Sequence, residues 1–188
     1  MKQSQRREHL IDTAIALFCE HGYHATGIDR ILSEAGVSKK TLYTHFRSKE
    51  ELIMAALRKY DGLFRNDFMR RIDRMGVTAR EKLTAIFDVA EEWFSQEQFF
   101  GCMFINAVGE YAEEDSPIRA ISMQFKRSVR DYIRELGEQA GAEAPDTLAD
   151  QLALLFEGAT VTAQVSRNVD AAKTAKMIAQ QLIARQLG

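Results

Sequence analysis

Hydrophobic residues recur along this chain at intervals of three and four, so the pattern predicts an all-α fold. Residues 5–21 put Leu10, Ala14, Leu17 and Phe18 on one helical face, and Gly22 is the expected stop. Thr26 is then expected to cap a short helix carrying Ile28, Ile31 and Leu32, with Asp29 at the acidic position of a capping box. Gly36 allows a tight turn, Ser38 caps a third helix, and Leu42 and Phe46 fall four apart on its inner side. Ser48 and Glu51 form an S-x-x-E capping box. The third helix should therefore end near Arg47, and a long helix should run from Lys49 to about Met75 with Leu52, Ala55, Ala56, Leu63 and Phe64 inward.

Helical spacing continues to the C-terminus. Thr78 and Glu81 open a capped helix holding Leu83, Ile86, Phe87 and Ala90 that should reach Ser95 or Gln96. A short element over Cys102 to Tyr111 precedes an acidic break at 113–115. Ser116 and Pro117 suit a cap and first helical position, and that helix should run to about Leu136, followed by a loop at 137–145. Two helices then close the chain, at about 146–166 and 170–187. The first is apolar on more than one face: Leu148, Leu152, Leu155, Phe156 and Ala159 make one stripe, and Ala153, Gly158, Val161 and Val165 surround it. The second repeats the spacing through Ala175, Ile178, Ala179, Leu182 and Ile183.

The third helix carries the chemistry. With Leu42 and Phe46 inward, Lys39, Lys40, Thr41, Tyr43, Thr44 and His45 are left on the outer side, able to donate to phosphates and base edges. Three helices with two tight turns make a helix-turn-helix unit. The run ALFCEHGYHATGIDRILSEAGVSKKTLYTHFRSKEELI resembles the N-terminal domain of the TetR family of bacterial transcriptional regulators. Phe18, Gly22, Tyr23, Thr26, Ile31, Ala35, Gly36, Val37, Ser38, Leu42, Tyr43, Phe46, Lys49 and Leu52 carry that resemblance at unbroken spacing. It covers roughly the first quarter of the chain and implies a DNA-binding domain over residues 1–48, followed by a helical effector-binding and dimerisation domain over 49–188.

Composition agrees with this reading. The 188 residues are 46% hydrophobic, enough for a real core. No run of eighteen apolar residues occurs, and MKQSQRREHL lacks the apolar centre of a signal peptide, so a cytoplasmic protein is expected, and the resemblance implies a bacterial one. Cys19 and Cys102 are far apart and should be thiols. The net charge of −2 is unevenly spread: residues 1–50 hold eight Lys/Arg against six Asp/Glu, the remainder seventeen against twenty-one. Placement matters more than the balance, because Lys39, Lys40, Arg47 and Lys49 share one segment with no acid between Glu34 and Glu50.

Lys39, Lys40, Thr41 and Thr44 are the candidates for base-edge contact; Thr26, Ser38, Tyr43, His45 and Lys49 are the candidates for phosphate contact. The start of the helix at Lys49 is an expected anion site. The resemblance implies a homodimer on a pseudo-palindromic double-stranded DNA operator, with recognition helices in successive major grooves about 34 Å apart. The two apolar C-terminal helices are the expected interface, forming a four-helix bundle with their symmetry mates.

The resemblance also implies repression without a small-molecule effector and release with it. Phe64, Phe68, Phe87, Trp93, Phe94, Phe104, Met123 and Phe156 could line an apolar effector cavity, or simply form core; Asn106, Tyr111, Arg119 and Gln164 could supply polar contacts. Cys102, in FFGCMF, is a further candidate as an oxidant or electrophile sensor, against the ordinary role of a small buried hydrophobe. No cofactor, metal or membrane contact is expected. Nor is an enzyme: His21 and His24 flank a turn without a convincing third ligand, and there is no Gly-rich phosphate loop, G-x-S-x-G or Cys-x-x-Cys. The alternative is a DNA-bound adaptor whose helical body docks a protein instead of a small molecule.

Overall fold

The computed structural model describes residues 3–188, and among them the structure is nine α-helices with no strand. They are α1 (Gln3–His21), α2 (Ile28–Ala35), α3 (Lys39–His45), α4 (Lys49–Met75), α5 (Ala79–Phe94), α6 (Met103–Glu110), α7 (Pro117–Ala140), α8 (Pro145–Ser166) and α9 (Ala171–Leu187). Compactness divides the chain elsewhere than the functional boundary expected after residue 48. One unit comprises residues up to Leu63 together with Met103–Phe125; the other comprises Phe64–Cys102 and Lys126–Gly188. Both α4 and α7 contribute to each unit.

In the first unit, α1, α2 and α3 pack on one another. Leu10, Ala14 and Phe18 of α1, Ile31 of α2 and Leu42 of α3 are buried with Tyr23, Phe46, Leu52, Ile53, Ala56 and Leu57. Each large side chain taken out of water here contributes about 1.5–3 kcal/mol, which outweighs the weak intrinsic stability of helices this short. Gly36 adopts φ +61°, and its N–H caps α2 at the Leu32 and Ser33 carbonyls. Lys59 of α4 bonds to Glu8 at 2.9 Å and Asp12 at 2.6 Å, tying α4 to α1. Burial pulls its ammonium pKa down, but the two carboxylates more than offset this and the net shift is upward. At the far end of the unit, Phe104 stacks on Phe125 with ring centres 3.8 Å apart.

In the second unit α5 packs on α8 and α9, and α8 packs on α9. Leu83, Ile86, Phe87 and Ala90 of α5 are buried with Leu148, Leu152 and Phe156 of α8 and Ala172, Ala179 and Ile183 of α9. Thr78 and Glu81 form the expected capping box. Arg130 of α7 bonds to Asp146 at 2.9 Å and Asp150 at 2.8 Å of α8, and the guanidinium holds the Asp150 carboxyl below its usual range.

Three local expectations are corrected. Leu63, expected inward, is exposed. Thr26 does not cap α2: the cap position is Gly27, which makes no side-chain bond. The loop expected at 137–145 shrinks, because α7 continues to Ala140 and closes through Gly141 at φ +80°. Gly137 is a poor helix former, but it packs against Pro145 and Leu148, while Ile133 and Leu136 beside it are buried. Packing therefore overrides propensity there.

Candidate nucleic-acid interface

Helix α3 is short, capped and exposed on one side. Ser38 is its N-cap, accepting from the Thr41 N–H at 3.2 Å, and the Phe46 N–H closes its end on the Leu42 carbonyl at 2.9 Å. Burial of Leu42 and Phe46 fixes its rotation, and Lys39, Lys40, Tyr43 and Thr44 are left exposed, with Thr41 and His45 half-buried. Tyr43 is 48% exposed, so its ring stands on the outer surface and not in the core. Among the described residues Lys39, Lys40 and Arg47 enter no salt bridge. The Thr44 hydroxyl donates to the Lys40 carbonyl at 2.8 Å, which leaves its oxygen and methyl group facing outward; the unpaired cations beside it can donate to phosphate oxygens and to base-edge acceptors.

The expected phosphate contacts differ from one another in the structure. Ser38 and Thr41 share a hydroxyl contact at 2.9 Å at the start of α3. Thr26 is fully buried, sharing its hydroxyl proton between the Gly22 carbonyl at 2.7 Å and the Leu17 carbonyl at 3.2 Å. Its side chain joins α1 to the following turn and offers a phosphate nothing. At the start of α4 the expected anion site is already furnished: Ser48 accepts from the Glu51 N–H at 3.2 Å, and Glu51 accepts from the Arg47 N–H at 2.6 Å. The Glu50 carboxyl is held below its usual range by its own N–H and the Ser48 hydroxyl. With these groups engaged, the half-buried Lys49 side chain is the cation at this helix start that can meet a phosphate.

Other head residues were not legible as a site. Arg30 of α2 donates to His21 Nε2 at 2.7 Å, and the Arg7 guanidinium lies 5.3 Å above the Phe46 ring. His24 stands beside Glu110, with Nδ1 at 3.7 Å from its carboxylate. The Tyr23 hydroxyl donates to the Met103 carbonyl at 2.8 Å, across 80 positions of sequence.

The expected effector residues fall into two groups. In the second unit, Phe64, Phe68, Trp93 and Phe156 form an aromatic cluster: Phe64 stacks on Phe68 at 5.5 Å and meets Trp93 edge-on at 5.2 Å, and Phe68 lies 5.3 Å from Phe156. Phe94 and Phe99 extend it from Trp93. Phe87 and Cys102 are buried, both cysteines are free thiols, and Gln164 lies close against Gly101. A Cβ on Gly101 would fall 2.0 Å from the Gln164 side-chain amide, and its φ is +85°, so glycine is required twice over. Phe104, Asn106 and Met123 belong to the first unit, where Phe104 is buried in its stack on Phe125 and Met123 is exposed. The position of Met123 is a helix surface, not the wall of a buried cavity. Arg119 donates to the Ala112 and Glu113 carbonyls, closing the acidic turn before α7.

A cavity of about 260 Å³ in the second unit is lined by Phe68, Met69 and Val129 with Arg65, Ser128, Asp131, Tyr132 and Glu135. Among the described residues the Tyr132 hydroxyl is the one buried side-chain polar atom without a hydrogen-bond partner. Burial first, then the Asp73 and Glu135 carboxylates, push its pKa up to about 12, so it stays a neutral donor. Its half-buried position beside Asp131 and near Glu135 on α7 gave no signal in the sequence.

On α8 and α9 another apolar surface is open. Leu154, Val161, Val165, Met177 and Ile178 are exposed, and a groove of about 280 Å³ runs between Leu154, Gly158 and Ala159 on one helix and Ala171, Ala175 and Ile178 on the other. No helix among the described residues is long and apolar enough to cross a membrane.

Residues 10–56 match the family described as bacterial regulatory proteins, tetR family. The chain is 45% identical over 146 residues to the HTH-type transcriptional activator FasR of Mycolicibacterium smegmatis, covering 77% of this chain and 64% of that protein. It therefore spans less than two thirds of that activator's length. It is 30% identical over 152 residues to an uncharacterized HTH-type transcriptional regulator of Bacillus subtilis, YxaF, covering 80% and 78% of the two chains. The crystal structure of a TetR-family transcriptional regulator from Streptomyces coelicolor superposes with a TM-score of 0.87 at 26% identity, covering 98% of this chain and 97% of the other.

Proposed function

We propose, from the premise that this chain belongs to the TetR family of bacterial transcriptional regulators, that it is a homodimeric, sequence-specific DNA-binding regulator released from a pseudo-palindromic operator by a small hydrophobic or aromatic effector. The observation that carries the DNA reading is the outer face of α3, where Lys39, Lys40, Tyr43 and Thr44 stand exposed while Leu42 is buried. In this reading Lys39, Lys40, Thr41 and Thr44 address base edges, and Ser38, Tyr43, His45 and Lys49 address phosphates. The chemistry is binding, not catalysis.

Dimerisation rests on the open apolar surface of α8 and α9. An effector is supported by the aromatic cluster around Phe64, Phe68, Trp93 and Phe156, and by the cavity bearing the unpartnered Tyr132 hydroxyl. A ligand with an aromatic or hydrocarbon body and one hydrogen-bond acceptor matches that lining. It releases DNA only if it binds one conformation of the protein better than another. Repression is the reading taken here; similarity to the activator FasR favours activation as the second reading. Transcription from a promoter carrying the selected site, with and without protein, separates the two.

Selection of binding sites from a random duplex pool at fixed moderate salt tests the whole proposal. A pseudo-palindrome with half-sites about one turn apart is expected; recovery of no motif would reject it. Once a site is known, Lys49→Ala should weaken binding to every sequence and flatten the salt dependence by about one unit per protomer, whereas Thr44→Ala should change preference at particular positions. An unaltered salt slope in the Lys49 variant would remove Lys49 from the phosphate contacts.

A further inference from the structure

The turn that links α1 to α2 is held by a residue nearly ninety positions away. Glu110, the last residue of α6, presents its carboxylate to two successive backbone amides: Oε1 accepts from the Tyr23 N–H at 2.8 Å and Oε2 from the His24 N–H at 2.5 Å. Successive N–H groups converging on one anion make a nest, and hydrogen bonds to an ionised acceptor are about twice as strong as neutral ones. Gly22 completes the arrangement. Its φ is +81°, and a Cβ there would sit 2.8 Å from Glu110 Oε1, so glycine serves both the turn and the approach of the carboxylate.

Tyr23 adds a second attachment. Its amide is held at the C-terminal end of α6, while its buried hydroxyl donates to the carbonyl of Met103 at the N-terminal end. With the Glu110 side chain reaching back to it, one residue of the head thus engages the first and last residues of a helix about 12 Å long. Tyr111 closes the side, with its ring 4.8 Å from that of His24 and edge-on to Tyr23 at 6.3 Å. All of these groups lie in the same compact unit.

We propose that Glu110 is a positioning residue for DNA recognition: its carboxylate bolts the α1–α2 turn to α6, so that the helix-turn-helix and α6 orient as one body. The proposal rests on the DNA-binding reading for its functional consequence, but the bolt itself is independent of it. An α1 fixed at only its own contacts could rock about the turn; one fixed to both ends of α6 presents α3 at a defined inclination. Glu110 then acts through the turn and touches no DNA.

The test uses the full chain with Glu110→Ala and Glu110→Gln. Amide hydrogen exchange at Tyr23 and His24, measured without DNA, should lose protection on the order of tenfold in the alanine variant. The glutamine variant keeps one carbonyl oxygen and should lose less; it also serves if the alanine variant does not fold. On the site selected by wild-type protein, Glu110→Ala should bind about tenfold more weakly, the size of an ordinary coupling between distinct sites. Its salt slope should be unchanged, because no phosphate contact is removed. It should also accept half-site spacings one base pair longer or shorter that the wild type rejects. Persistent protection of the two amides would overturn the bolt. Lost protection with unaltered affinity and spacing preference would reduce Glu110 to a purely structural role. A wild-type chain that selects no DNA would defeat the DNA reading, and the positioning role with it, before any variant is compared.

Discussion

A chain carrying Leu154→Glu is expected to sediment as a monomer of 21.3 kDa and to bind its operator about a thousandfold more weakly than the wild type, with its helix content intact. Leu154 is 73% exposed on α8, at the edge of the groove that also exposes Ile178 of α9, and Val165 and Met177 are 78% and 59% exposed on the same two helices. Side chains this apolar and this open are costly to leave in water, at about 25 cal/mol per Å². A two-fold axis brings the same patch of each protomer onto the other, so a single substitution enters the interface twice. Two carboxylates without partners in an apolar seam cost several kcal/mol. Losing the dimer turns the binding of the second head from an intramolecular event into an independent one, which forfeits a factor of about 10²–10⁴ in affinity. Because Leu154 supports little of the protomer's own core, circular dichroism should not change. A variant that stays dimeric and binds tightly would move the interface away from α8 and α9.

The second large effect is expected at Tyr23. This ring is fully buried, stacks on Phe18 with centres 4.9 Å apart, and donates its hydroxyl proton to Met103. Tyr23→Ala removes the ring, its stacking on Phe18 and the hydrogen bond together, at a cost of about 3–5 kcal/mol. That is a large share of the roughly 5–15 kcal/mol that holds an ordinary domain together, and the melting temperature should fall by about 10 °C. Tyr23→Phe separates the contributions. It retains the stack and loses one hydroxyl bond, so about 1 kcal/mol is expected from chemical denaturation. Equal losses in the two variants would mean that the hydroxyl, not the ring, carries the stability. A negligible loss in both would mean that the turn tolerates a cavity by collapsing.

These two positions show how unevenly the molecule could be read in advance. Tyr23 was visible as one residue of a family motif, but its bond to Met103 and the grip of Glu110 on its amide join segments that share no pattern. Glu110 sits at the end of a short apolar helix where a carboxylate ordinarily faces solvent, and no spacing rule marks it. Leu154 belongs to a helix whose excess apolar positions were plain from the spacing, although which of them remain open depended on what α5 and α9 cover. Thr26 is the opposite case. A hydroxyl ahead of a helix invited a cap, yet the unmet carbonyls of Leu17 and Gly22 took its proton instead. The effector residues divide similarly: Phe64, Phe68, Trp93 and Phe156 do come together, while Met123 stands at the surface. The unpartnered hydroxyl of Tyr132 emerged only where residues of α4 and α7 line one cavity within the second unit.

By itself the sequence determined the helical class, the capped and glycine-terminated helices of the head, the rotation of α3 that turns Lys39, Lys40, Tyr43 and Thr44 outward, and the family. Each of these follows from interactions a few residues apart: periodicity, cap hydrogen bonds, positive-φ turns, and a motif of fixed spacing. Tertiary structure alone decided that Met103–Phe125 joins the head in one compact unit, that Gly137 stays helical, and that Glu110 closes on the α1–α2 turn. Those outcomes depend on burial and hydrogen-bond satisfaction between distant segments, where a buried donor or acceptor takes whichever partner the packing brings to it.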